Sequence, residues 1–311
     1  MAEQQIQEIL QAIERLKKSQ DSPVMQAEAA KLEQRLEQLK KVAYSTLTPW
    51  ERVQISRHPK RPHSKDYIQN ISSNFRELCG DRNFRDDRAL VGGLATIDSM
   101  RCLIIGQEKG NDTASRVEHN FGMMHPEGYR KALRLMQMAE KFNLPIVSFL
   151  DSAGAYPCLE AEERGQGWAI AANLREMAKF RVPIIIVIIG EGYSGGAIGM
   201  GVGDVIGMLE HACYSVITPE GCASILWKDS SKKDAAAKAL KLNSEHMLQH
   251  EMIDHIIREP MGGAHNDPQM AYSSVKAYIL SQWNELKAIS PSALIQQRYN
   301  KFRKMGAFSI L

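Results

Sequence analysis

Two turns rich in small residues carry the groups best suited to chemistry in this sequence. The first lies in the stretch Val182 to Gly203, where Gly190, Gly192, Gly195 and Gly196 follow an aliphatic run. Glycines clear side chains away, so backbone N–H groups can approach a ligand closely, and the run Gly195 to Gly201 can open a helix whose positive end faces the same point. Such a turn stabilises negative charge without a lysine. The second is DSAGAYP, Asp151 to Pro157, about forty residues upstream. A rival chemistry shares the first turn: Gly192 to Gly196 also fits the G-x-S-x-G nucleophile elbow, with Ser194 as a serine hydrolase nucleophile. Its triad could draw on His211, His246, His250, His255 or His265 with Asp204 or Asp254, and the spacing selects no pair.

The elements that must position these turns are legible from hydropathy. Ile184 to Ile189 is a continuous aliphatic run after Pro183, too apolar to alternate and too short to span a membrane, which predicts a central parallel strand covered on both faces. Leu144 to Leu150 has the same pattern, and Glu160 to Phe180 between them reads as helical. The right-handed crossover rule then makes the strands parallel and brings both turns to one sheet edge. For each glycine alone, a turn or close helix packing explains it equally well; the pair makes the functional case.

Ala89 to Gly110 holds two β-rich runs joined across Asp98-Ser99, a hairpin signal. A helix begins at Pro126, with Ala132, Leu133, Leu135, Met136 and Ala139 as its buried face. Val205 to Met208 and Tyr214 to Ile217 read as strands, Thr218 as a helix cap before Pro219, Asp234 to Leu242 and Ser244 to His250 as helices, and Met252 to Arg258 as a late strand. The alternation is α/β. Thr48 to Arg88 reads as an exposed, largely irregular connector, and its basic stretch Arg57 to Tyr67 as solvated surface or, more sharply, a contact for a coenzyme A phosphate. Lys109, Arg116, His119 and His125 lie near the glycines of a polar loop and could face the site; no role is assigned to any of them.

Three parts are expected: an amphipathic helical hairpin over 1–43, a main domain over 44–266 and a helical segment over 267–311. In the hairpin Ile6, Ile9, Leu10, Ile13 and Leu16 recur at helical spacing, as do Leu32, Leu36 and Leu39, with a break at Ser19 to Pro23 where Ser22 can cap. Too short to be stable alone, it must pack on the main domain or on a neighbouring chain. A net charge of +3 over 311 residues gives no case for a nucleic-acid ligand, though it suits a polyanion such as coenzyme A. Five scattered cysteines, never in a C-x-x-C pair, fit a reducing cytoplasm and argue against a zinc site in this chain. The N-terminus lacks a signal-peptide pattern and no apolar run reaches membrane length, so a soluble cytoplasmic protein is expected.

GAYP with the following AEERGQ, GEGYSGGAIGMGVGD, YSVITPEGCASILWK and NFGMMHPEGYRKALRLMQMAEKF closely resemble the α subunit of the bacterial carboxyltransferase component of acetyl-CoA carboxylase. The resemblance runs from about Tyr44 to His265 and departs from the family's pattern at Ser152 and Ala153, where Thr and Pro are usual, and at Cys158 and Tyr193, where Gly is. It implies a crotonase-like fold and transfer of a carboxyl group from carboxybiotin, borne on the biotin carboxyl carrier protein, to acetyl-CoA, giving malonyl-CoA for fatty acid synthesis. It further implies that peptides around Gly154, Ala155, Gly195 and Gly196 donate to the biotin ureido oxygen, with Tyr156, Tyr193 and Ala197 as binding residues and no metal here. A zinc-bearing β subunit in an α2β2 assembly would supply the hole for the thioester enolate, and biotin carboxylase would complete the system.

Overall fold

The computed structural model describes residues 9, 12, 13, 15, 16 and 23–306. Ser19 and Ser22 of the expected break lie outside them, and Pro23 opens the first complete helix. That helix, α1 (Pro23–Ser45), buries Leu36 against Ile13, with Ile9, Leu32 and Leu39 around them. Of the first expected stripe, Ile9 and Ile13 meet Leu32, Leu36 and Leu39 of the second, while Ile6 and Leu10 lie outside the described residues. Tyr44 at the end of α1 continues this cluster and lies where a side chain on Gly262 would stand, linking the hairpin to the main body.

The expected irregular connector is instead ordered. It contains α2 (Pro49–Ser56), opened by a Thr48–Glu51 capping box, then α3 (Ser64–Ile71) and an edge strand β1 (Ser73–Glu77). Tyr67, Ile68 and Ile71 are buried, and so are Arg61 and His63 of the stretch read as solvated surface. Arg61 explains the difference: its guanidinium holds Glu259 through two bonds of 2.7 and 2.8 Å and donates to Ile189 O at 2.9 Å. A partner 198 residues away turns a polar segment into an interior one.

The sheet follows the predicted alternation. A hairpin joins β2 (Leu90–Ile97) to β3 (Met100–Gln107) across Asp98, whose φ is +50°. The polar excursion holds α4 (Thr113–Glu118) and a 3-10 turn before α5 (Pro126–Lys141), and then β4 (Ile146–Ser152) begins. The helical stretch after β4 is broken at Gly165 (φ +81°) into α6 (Leu159–Glu163) and α7 (Gln166–Met177). Next come β5 (Ile184–Tyr193), α8 (Ser194–Ile198), β6 (Val205–Leu209) and β7 (Cys213–Ser215). Thr218 caps α9 (Pro219–Trp227) as expected, and α10 (Lys233–Leu240), α11 (Ser244–Gln249) and β8 (His255–Ile257) follow. The chain closes with α12 (Pro268–Leu286) and α13 (Pro291–Lys304).

Strand order is β1-β2-β3-β4-β5-β6-β8, antiparallel from β1 to β3 and parallel beyond. Helix α5 packs on β2 and β3 with α7 beside it, and α12 packs against α3, β5 and β8, so β4 and β5 are covered on both faces. All of Ile184 to Ile189 is inaccessible to solvent. Val275, Ile279 and Leu294 of the last two helices belong to the same core as the sheet. Arg298 of α13 fastens it there, reaching Asp204 and the carbonyls of Met177, Phe180 and Val182 at 2.7 to 3.1 Å.

Candidate active site

Strand β5 is longer than its aliphatic run: it continues through Gly190 and Gly192 to Tyr193, and the glycine-rich turn expected there shrinks to one residue, Ser194, at φ +53°. Helix α8 follows at once and lasts five residues. Beyond Ile188 the strand also changes neighbours. Its first half pairs with β6 through Ile185 to Ile188, its second with β7 through Glu191 to Tyr193. This sideways step places Ser215 next to Tyr193 and opens a groove beside α8.

The second turn meets the first in space. Gly154 has φ +151°, a conformation that L side chains rarely adopt, and a methyl group on Gly196 would lie 2.5 Å from the Gly154 carbonyl carbon. The backbones of the two turns are thus in contact, and only glycine permits it. Of the four expected donors, the Gly154 N–H is engaged by Ser152 Oγ at 3.2 Å. The Ala155 N–H has no acceptor among the described residues, and the N–H groups of Gly195 and Gly196 belong to the first turn of α8, where a helix offers its donors no partner of its own. Gly196 is buried and Ala155 and Gly195 are half-buried, so these donors on two touching turns can form an anion-stabilising point open to the groove.

A buried polar network supports the turns, and sequence reasoning missed most of it. Asp151, on β4 just before the second turn, accepts from Glu191 N–H at 3.0 Å, binds Lys109 Nζ at 2.7 Å and meets His63 Nδ1 at 2.8 Å. Burial would raise the Asp151 pKa, but Lys109 and His63 outweigh it and hold the carboxyl well below the usual range. Burial likewise opposes charge on Lys109, yet Asp151 and Glu191 keep its pKa above the ordinary lysine value. Glu191 continues the chain to Arg57, which also holds Glu220 at 2.5 Å. Gln107 accepts from Asp151 N–H and donates to Gly196 O. Its one available signal is a polar residue closing an otherwise apolar strand run.

The groove beside α8 has a volume of about 470 Å³ and is lined by Ser194, Gly195, Ile198, Tyr214, Val216 and Met252 among others. Tyr193 and Ala197 do not line it: both are wholly buried, Tyr193 in a small cluster with Val53, Cys213, Ala237 and Leu242. Their side chains pack inward, away from the groove. Tyr156 is half-buried with its ring 4.4 Å from that of His125. Lys109 and Arg116 line a separate polar cavity with His63, Ala153 and Glu191, while His119 is paired with Lys65 at 2.7 Å. Ser194 Oγ has no hydrogen-bond partner among the described residues, so none of the five histidines is bonded to it, and both proposed acids are engaged elsewhere, Asp204 with Arg298 and Asp254 with Lys301; of the histidines, His265 stacks on His58 and His255 packs against Tyr278. The hydrolase alternative is not supported.

Among the described residues no group of three or more His, Cys, Asp and Glu could hold a metal ion, and no helix is long and apolar enough to cross a membrane. A family model described as acetyl co-enzyme A carboxylase carboxyltransferase-like matches residues 1–306. An acetyl-coenzyme A carboxylase carboxyl transferase subunit alpha from Protochlamydia amoebophila is 63% identical over 307 residues, covering 98% of this chain and 97% of that protein. The protein of the same name from Chlamydia caviae is 58% identical over 292 residues, covering 94% and 90%. Among solved structures, the transcarboxylase 12S hexamer core aligns with a TM-score of 0.60 at 17% identity, covering 73% of this chain and 42% of that one. A Pseudomonas malonate decarboxylase hetero-tetramer in complex with coenzyme A also gives 0.60, at 12% identity, covering 76% and 94%. The likeness to these structures shows the crotonase-like fold, and the family model and the relatives matched along nearly the whole length show that the chain belongs to the family of acetyl-CoA carboxylase carboxyltransferase alpha subunits.

Proposed function

We propose that this chain catalyses carboxyl transfer to acetyl-CoA, giving malonyl-CoA for fatty acid synthesis in the cytoplasm, as one half of a two-subunit carboxyltransferase. The observation that carries the site is the set of N–H groups at Ala155, Gly195 and Gly196, on turns held in contact. Carboxybiotin, when bound, supplies the carboxyl group and leaves negative charge on its ureido oxygen. The three N–H groups of this chain stabilise that charge, and the apolar groove beside α8 has a volume suited to a bicyclic ring. Gly154 contributes the chain reversal instead of a donor, since its N–H is bound to Ser152.

A β subunit, expected to carry the zinc, supplies the second oxyanion hole in an α2β2 assembly, and the biotin carboxyl carrier protein, loaded by biotin carboxylase, enters from this subunit's side. Exposed Ile198 and Val216 at the groove, with exposed Ile225, Leu226 and Trp227 on α9, support an apolar partner face. The test is malonyl-CoA formation from carboxybiotin and acetyl-CoA by the purified chain, alone and with the β subunit. Turnover is expected only for the pair, and Ser194→Ala should keep most of it. Full turnover by this chain alone, or labelling of Ser194 by a fluorophosphonate with loss of activity in Ser194→Ala, would overturn the proposal.

A further inference from the structure

The ladder between β4 and β5 fails just where the two turns begin. Leu150 pairs with Ile188, but Ser152 pairs with Gly192, so two steps on one strand stand against four on the other. In a regular parallel pair, backbone bonds would fix the relative position of the strand ends. Here side chains replace them. Asp151 Oδ1 reaches across the bulge to Glu191 N–H at 3.0 Å. Gln107, at the end of β3 on the other side of β4, spans further: its Oε1 accepts from Asp151 N–H at 3.0 Å and its Nε2 donates to Gly196 O at 2.6 Å.

Gln107 is inaccessible to solvent, so water cannot substitute for either bond. One amide orientation alone satisfies a donor on one side and an acceptor on the other. The Gly196 carbonyl also lacks its usual helical partner, because Met200 N–H bonds to Ala197 O and not to Gly196 O. The amide therefore grips the end of β4 and the single turn of α8 together, at the peptide that links Gly196 to Ala197.

We propose that Gln107 is a positioning residue for carboxyl transfer, its amide setting the spacing between the Ala155 donor on one turn and the Gly195 and Gly196 donors on the other. This rests on the oxyanion-hole reading of the site and names the residue that holds the hole in shape. Gln107 touches no reacting atom. It acts through the backbone, and misplacement of donors by a fraction of an ångström lowers turnover without weakening acyl-CoA binding.

The test compares Gln107→Glu with Gln107→Leu in the assembled enzyme. A carboxylate at this place keeps the acceptor for Asp151 N–H but turns an acceptor toward Gly196 O, next to Asp151, which itself holds Lys109 and His63 and lies beside Glu191. Protonation restores the donor. At about pH 8.5 Gln107→Glu should lose about tenfold or more in kcat with little change in KM for acetyl-CoA, and recover relative to wild type toward about pH 6, whereas Gln107→Leu should be low throughout. Hydrogen exchange of peptides covering 150–158 and 190–200, measured on the same proteins without substrates, should be accelerated in Gln107→Glu at the higher pH and return toward wild type at the lower. Wild-type kcat in both variants, a loss independent of pH in Gln107→Glu, or unchanged exchange in both segments would overturn the proposal. Failure of the wild-type pair to form malonyl-CoA would instead strike at the function while leaving the exchange result to judge Gln107.

Discussion

At Gly196 the added methyl group of alanine would sit 2.5 Å from the Gly154 carbonyl carbon and 2.8 Å from its Cα and O, all backbone atoms that cannot rotate away. From the sequence alone this glycine faces a ligand, its missing side chain giving a backbone N–H room to approach one. The contact points elsewhere: the missing side chain makes room for the other turn. Gly196→Ala should therefore force the turns apart, costing about 1–3 kcal/mol of stability, as overpacking does, together with most of the transfer activity. Thermal unfolding alongside the transfer assay checks this, and an alanine variant with unchanged Tm and no activity would return Gly196 to the ligand side. The glycines themselves were legible because backbone approach demands that residue type. Gln107, Asp151 and His63 were not, since a lone polar residue acquires its role only from strands that the chain brings alongside 44, 88 or 89 residues away.

Element by element, the sheet was readable wherever burial leaves a continuous apolar run: β4, β5 and the β2–β3 hairpin all lie where hydropathy puts them. Residues 48–88 were not readable, because their order derives from buried charges whose partners lie far along the chain. Arg61 with Glu259, and His63 and Lys109 with Asp151, are the fastenings. This gives the fold an acid-sensitive point. Asp151 has its pKa depressed in the folded state, so its contribution is fully present above the ordinary carboxylate pKa of about 4 and is lost as pH falls from there toward the folded value. Asp151→Asn removes that titration but leaves Lys109 buried with one carboxylate fewer. The variant should be less stable near neutrality by about 3–5 kcal/mol, and its stability should fall less steeply below about pH 4 than that of wild type. Urea unfolding at a series of pH values measures both; parallel wild-type and variant curves through the acid range would remove Asp151 as the cause.

For the whole molecule, an apolar surface extends from Val216 at the groove over α9. Val216 is 78% exposed, Ile225 66%, Leu226 65% and Trp227 37%, on α9 and the short segment leading into it. None belongs to the central core, so folding does not explain them, whereas a lasting subunit interface would bury such a patch at its centre. The groove is lined by Val216 and Ile198, so a partner seated on this face would also roof the anion-stabilising point and exclude water from it. Ile225→Glu together with Leu226→Glu should therefore leave the Tm of the isolated chain within about 2 °C of wild type, because exposed positions away from buried contacts contribute little. The same pair should weaken association with the β subunit by about a hundredfold or more, the cost of two charges desolvated in an apolar interface. Light scattering of the mixed subunits gives the mass of the assembly, and transfer activity should fall in proportion to the unpaired fraction. If the double variant assembled normally with the β subunit, the partner would have to sit elsewhere on the molecule.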